Sequence, residues 1–205
     1  IIEALGPDFE NLRKSWEQSY GVSLDNVTQM VIAFHANDDK PPRVSTVLRL
    51  HQGTTDQLSN DWGEPIKVKN GQQFNVDGQI LFVPDNHNQL LVMGHHDDIQ
   101  AVVKTGGRPP LVGRAIKDLL AFSNDQWHIA VLLSPEFLDS DGDRLFTGSR
   151  KQLLSPIEKF LGDGIRGLLA GVHIGERFYV ELRVKSHLDL AIQERVNLFR
   201  QRIDN

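Results

Sequence analysis

Apolar positions change their spacing along this chain, and the spacing predicts the elements. Phe9, Leu12 and Trp16 recur at i, i+3 and i+7, which predicts a helix over 7–20. Pro7 suits its first turn and Gly21 its stop. The apolar run Val27 to Phe34 and the β-branched segment Val44 to Leu50 flank a polar turn, Asp38-Asp39-Lys40-Pro41-Pro42, and predict a hairpin. Thr54-Thr55-Asp56-Gln57 has the spacing of a capping box and predicts a short helix running towards Trp62. Short apolar runs follow at 66–69, 72–76, 80–83 and 90–93, separated by Asn70-Gly71, Asp77-Gly78 and Pro84-Asp85-Asn86. Asn-Gly and Asp-Gly supply positive φ at little cost, so these runs predict an antiparallel meander. Gly94 then leads into a helix over 95–104.

Gly106-Gly107-Arg108-Pro109-Pro110 is the best internal linker. Beyond it the pattern predicts a helix at 111–122, a strand at 127–133 and a polar loop at 138–147. A helix near 149–161 places Leu153, Leu154, Ile157, Phe160 and Leu161 on one face. Strands at 165–174 and 177–185 turn at Gly175-Glu176. Ser186 and Asp189 have capping spacing and open a last helix that buries Leu188, Ile192, Val196, Phe199 and Ile203.

An internal repeat organises these elements. Asp25-Asn26-Val27 matches Asp163-Gly164-Ile165, and His35 falls on His173 at the same offset. Past a shorter turn, Arg43 falls on Arg177, and Leu48-Arg49-Leu50 on Leu182-Arg183-Val184. The second copy runs strand, helix, strand, strand, helix, a ferredoxin-like βαββαβ plan without its last strand. The expected fold class is α+β, with two ferredoxin-like halves at 1–105 and 111–205 joined by 106–110. Each half is expected to be an antiparallel sheet with helices packed on one face, and the two to pack as one unit. The first half lacks its leading strand. The chain begins Ile1-Ile2, and Arg200 to Asn205 closes a helical pattern without Gly or Pro. Both ends are therefore expected to be cuts from a longer polypeptide.

Composition narrows the function classes. The chain has 205 residues, 40% of them apolar, enough to bury a proper core. Its 22 basic and 27 acidic side chains give a net charge of −5, the reverse of the basic excess of a generic nucleic-acid binder. No apolar run is long enough to span a bilayer, so any anchor is expected outside this chain. There is no Cys, hence no disulfide, thiolate nucleophile or Cys-ligated zinc.

Each candidate for chemistry has a plainer account. Gly94-His95-His96-Asp97-Asp98 offers nitrogen and oxygen donors, but adjacent helical residues point about 100° apart, so His95 and His96 cannot share one ion easily. Acids at a helix N-terminus explain it better. Asp139-Ser140-Asp141-Gly142-Asp143 resembles the front of a calcium loop, yet the positions that need Gly and a bidentate Glu hold Arg144 and Arg150. His35 and His173 recur without an acid to orient either ring and suit half-buried strand ends. Ser134 and Ser149 lack the setting of a nucleophile elbow, and no Gly-x-Ser-x-Gly, Ser-x-x-Lys or Walker A sequence occurs. Gly162-Asp163-Gly164 suits a helix stop and turn. Lys185, Arg195, Arg200 and Arg202 decorate the final helix, with only Phe178-Tyr179 as an aromatic neighbour, too little for a nucleic-acid face. No catalytic residue, metal ligand or cofactor is assigned, and the ligand-binding residues are unknown.

Several segments together resemble a known group. They are Leu24 to Val31, Arg43 to Leu50, Ile80 to Asp85, Leu90 to Gly94 and His128 to Pro135. Their order is similar to that of uncharacterised repeated α+β domains frequent in planctomycete bacteria, some attached to membrane-anchored serine/threonine kinases. The resemblance implies an extracytoplasmic or membrane-associated accessory domain and carries over no functional residue. The chain itself contains no kinase motif: His-Arg-Asp and Asp-Phe-Gly are both absent. The leading expectation is a non-catalytic sensory, scaffold or partner-binding domain of a bacterial envelope protein, with a protein partner or a second copy as its ligand. The alternatives are a hydrolase or lyase using His and Asp in a cleft between halves, and a binder of small hydrophobic ligands.

Overall fold

The computed structural model describes residues 6–37, 40–59, 61–76, 78–106, 108, 112–123, 127–148, 151–161, 164–174 and 178–186, with 194, 197, 200 and 201 beyond. The fold is α+β, with antiparallel sheets of six and three strands. The chain divides into two compact units. One comprises Ile1–His35 with Arg43–Pro110, the other Leu111–Asn205 with Ala36–Pro42.

In the first unit, helix α1 (Gly6–Tyr20) and a 3-10 turn (Leu24–Asn26) lead into the hairpin β1 (Val27–His35) and β2 (Arg43–Leu50). Helix α2 (Thr54–Leu58) precedes a four-stranded meander of β3 (Ile66–Val68), β4 (Gly71–Val76), β5 (Gln79–Pro84) and β6 (Leu90–Gly94). Helix α3 (His96–Thr105) closes the unit. Strand β6 pairs back onto β2, so the order is β1-β2-β6-β5-β4-β3 with every neighbour antiparallel.

The expectation of helices on one face is overturned. Leu48, Leu50, Leu81, Leu91 and Met93 pack with Phe74 and Trp62 on one side, joined by Trp16 and Tyr20 of α1 and Leu58 of α2. Phe82 and Val92 face the other way and pack on Ile99 and Val103 of α3. The central strands carry apolar residues on both faces, as strands buried on both sides must. The side chains of Phe9 and Leu12, expected on the inner face of α1, lie outside the described residues.

Two turn expectations also shift. The Asn70-Gly71 turn divides its work between the two residues: Asn70 takes the positive φ (66°), while Gly71 already belongs to β4, opposite Val68. A Cβ on Gly71 would collide with the Val83 carbonyl and come within 2.6 Å of the Phe82 ring. The Thr54 capping box does not form. Gly53 is the N-cap of α2, and the buried Thr55 hydroxyl donates to the Asn88 carbonyl instead.

The second unit contains α4 (Arg114–Leu120), β7 (Ile129–Leu133), α5 (Pro135–Leu145), α6 (Lys151–Leu161), β8 (Ile165–Ile174) and β9 (Phe178–Ser186). Residues 138–147, expected as a loop, mostly form α5, with Ser134 as N-cap and Pro135 in the first turn. Leu138 is its buried anchor, and Gly142 admits the Leu154 side chain of α6. Leu153 is exposed, against expectation, because the helix face that takes Leu154, Ile157 and Leu161 leaves its neighbour about 100° away.

This extra helix decides the topology. A split βαβ plan returns the chain with one helix and leaves room for a third strand between two parallel ones. Here two helical passes bring β8 back antiparallel and directly beside β7, giving the order β7-β8-β9. The ferredoxin-like strand order is therefore not the one adopted. Helices again occupy both faces: α5 and α6 pack on Ile165, Leu168 and Val184, while Leu119 and Ile116 of α4 lie over Gly167. The linker residues 107, 109 and 110, the second hairpin's turn and most of the final helix lie outside the described residues.

The two hairpins share one irregularity. Each register shifts just after its first pair, between Val27 and Gln29 in β1 and between Ile165 and Gly167 in β8. One extra residue (Thr28, Arg166) turns the first strand residue back onto the inner face. Val27 thereby joins Met30 on one core, and Ile165 joins Leu168 on the other. The partners of Met30 and Leu168 are Leu48 and Val184. Aligned at the bulges, Leu48 thus corresponds to Val184, two residues later than the sequence match to Leu182 suggested.

Candidate functional site

Strand register lets the apolar surface of the second unit be built row by row. On the face covered by α5 and α6, the first row is Leu133, Leu168 and Val184, and all three pack against the helices. The second row is Val131, Ala170 and Leu182, and the third is Ile129, Val172 and Val180. Alternation of side chains puts all three rows on one face. Among the described residues only the first is covered: Ile129, Val131, Val180 and Leu182 are 42–53% exposed. The first unit repeats this pattern at the turn end of its hairpin. Met30 and Leu48 are packed, whereas Ile32, Phe34 and Val44 further along the same face are 45–48% exposed.

The opposite face of the three-stranded sheet is treated differently. Lys185 bonds Asp118 of α4 at 2.7 Å, and the Arg183 guanidinium lies 4.6 Å from the Phe122 ring centroid. Lys185, expected on the final helix, thus lies in β9 and ties the sheet to α4. Trp127 lies on Gly171, where a Cβ would overlap the indole.

The polar groups singled out in the sequence fall into separate places. His95 is the N-cap of α3, its Nδ1 accepting from the Asp97 N–H at 3.4 Å. Asp97 and Asp98 occupy the first turn, favourable for the helix dipole. Arg43 bridges them, with Nη2 to Asp98 at 3.1 Å and Nη1 to Asp97 at 3.5 Å. The buried, unbonded Arg43 Nε and Asp98 Oδ2 are the remaining atoms of that same pair. This contact, across 55 positions of sequence, had no signal in local spacing.

His35 and His173 have different partners. His35 Nε2 meets the Ser45 hydroxyl at 2.6 Å, a distance suited to a nucleophile and its base. Among the described residues no carboxylate bonds the other ring nitrogen. The pair ties β1 to β2 near their turn. His173 packs edge-on against His128 with ring centroids 4.8 Å apart, and His128 Nδ1 accepts from the Ile174 N–H at 3.1 Å. His128 was not singled out by its sequence.

The acidic run of α5 is divided by helical geometry. Asp141 is buried, bonded by Ser140 and Arg144, while Asp143 on the far side meets Lys151 at 3.2 Å. Asp139, on the exposed side, lines a cleft of ≈ 350 Å³ with Glu136, Glu158 and Arg166. The Ser134 hydroxyl, the Glu136 backbone N–H and then Arg166 hold the Glu136 carboxyl below the usual carboxylate range. A depressed folded-state value stabilises above the unfolded-state value, and the contribution fades as pH falls through the folded one. Glu136→Gln should therefore differ in thermal stability from the parent most at neutral pH, and the difference should close in acid as pH falls through the lowered folded-state value. A difference that grows in acid contradicts this sign. A second cleft, ≈ 310 Å³, is bordered by Tyr20, Arg43, Thr46 and Met93 of the first unit.

Gly162, Asp163, Ser149, Arg150, Arg195 and Arg202 lie outside the described residues. Tyr179 is exposed, and the Phe178 side chain also lies outside that set. Among the described residues no helix is long and apolar enough to cross a membrane. Compared with protein-family models, curated proteins and solved structures, the chain matches none significantly.

Proposed function

We propose that this chain is a non-catalytic partner-binding domain of scaffold or sensory type, acting through the apolar rows open at the hairpin ends of its sheets. One observation carries the reading. In the second unit, two full rows continue a packed core beyond the helices that cover its first row. Contiguous exposed apolar surface is costly to leave in water and marks contact surfaces. The resemblance to planctomycete repeated domains supplies the setting, an extracytoplasmic bacterial protein. The relatedness of the two halves is supported by their matching bulges and by a helix before each hairpin that packs on the same face as the bulge's inner residues.

The 2.6 Å Ser45–His35 bond favours one second reading, a serine-dependent hydrolase. A photo-cross-linking phenylalanine analogue at Leu182, in the producing cells, separates the two. The binding reading expects a discrete adduct that disappears when Val180→Lys is added, with unchanged circular dichroism. No adduct, together with labelling of Ser45 by a fluorophosphonate probe, would replace it with the hydrolase.

A further inference from the structure

We propose that β7 pairs edge to edge, antiparallel, with β7 of a second copy of this chain, extending each three-stranded sheet into one of six strands. The proposal rests on the partner-binding reading and names the partner at one edge. Free edges expose unpaired backbone N–H and C=O groups, and proteins protect them with short length, charge, proline or bulges. Among the described residues four strands are edges: β1, β3, β7 and β9. Strands β3 and β9 carry a guard along their length, and β1 carries one only at its start. Strand β3 is three residues long and contains Lys67. Strand β9 carries Glu181, Arg183 and Lys185 at alternate positions. Strand β1 is irregular at its start, where the bulge falls at Thr28. Strand β7, Ile129-Ala130-Val131-Leu132-Leu133, has neither charge nor proline, and its register with β8 is unbroken.

The edge also complements itself. Antiparallel pairing about Val131 sets Ile129 opposite Leu133 and Ala130 opposite Leu132 of the second copy, so each cross-strand pair is apolar. A two-fold axis normal to the sheet makes this contact isologous and closed, and it keeps the same face of both sheets on one side. The open second and third rows of the two copies then join into one wider apolar face.

The absence of Cys makes the test clean, because a single introduced thiol is unique in the chain. Val131, Val180 and Val31 are matched in exposure at 49%, 53% and 53%, so Val131→Cys, Val180→Cys and Val31→Cys differ chiefly in location. Intermolecular disulfide formation should be at least about tenfold faster at position 131, where the two-fold brings the same residue to itself. Sedimentation of the unmodified chain should show a concentration-dependent dimer that Val131→Lys abolishes without changing circular dichroism. Equal oxidation rates at the three positions, or a monomer throughout the micromolar range, overturns the pairing. Should the lysine variant fail to fold, the three cysteine rates still decide. A heterologous adduct from Leu182 would survive that failure, so loss of the self-pairing and loss of the binding reading are told apart.

Discussion

Leu48→Ala is expected to destabilise the chain by about 3–5 kcal/mol, the upper range for truncating a fully buried leucine. Leu48 has no exposed surface and stands between Met30 of β1 and Leu91 of β6. Around it lie Leu50, Leu81 and Met93, with the Trp62 ring set edge-on to Phe74 at 5.3 Å. Neighbours on five strands and two helices cannot all move inward to fill the gap, so most of the cavity should persist. Urea denaturation followed by tryptophan fluorescence measures the loss. Because Trp16 and Trp62 belong to the first unit and Trp127 to the second, the shift should appear chiefly in the signal of the former pair. A loss below about 1 kcal/mol would mean that this core is loosely packed.

Gly71→Ala should have the next largest effect, about 2–3 kcal/mol or more, near the top of the range for overpacking. Its single added carbon meets a backbone carbonyl, that of Val83, as well as the Phe82 ring at 2.6 Å. A ring can rotate aside; a carbonyl inside a ladder cannot move without loosening the β4–β5 pairing. The variant should therefore lose hydrogen-exchange protection across both Gly71–Val76 and Gln79–Pro84. A cost confined to a few tenths of a kcal/mol, with protection intact, would show that the ladder yields easily.

These positions mark what the sequence revealed and what it hid. The meander was legible because Asn70-Gly71 and Asp77-Gly78 separate short apolar runs, and the hairpins because β-branched residues flank polar turns. The runs Ile80 to Val83 and Leu90 to Met93 also held a sign of burial on both faces. Consecutive apolar residues, not alternation, mark a strand sandwiched between helices. Helix α5 was hidden because its inward side consists of Leu138, Asp141 and Gly142, a set with weak hydrophobic periodicity. Missing it led to a single-helix crossover and hence to the wrong strand order. The bulges were invisible for a different reason: one extra residue changes which side chains face inward without changing composition. Without that step, Val27 and Met30, three residues apart, would point to opposite faces. The candidate surface depends on register and helix coverage, so exposed Val180 and packed Val184 look alike in sequence.

The central claim is that the second and third rows of the three-stranded sheet are covered by another chain in the cell. Side-chain labelling with a carbene or hydroxyl-radical reagent measures this directly, comparing producing cells with dilute purified protein. The account predicts several-fold lower labelling of Val131, Val180 and Leu182 in cells, with no change at Leu153, an equally exposed residue on α6. Equal labelling of those three residues in both settings would show that the rows face water throughout, and would contradict the account.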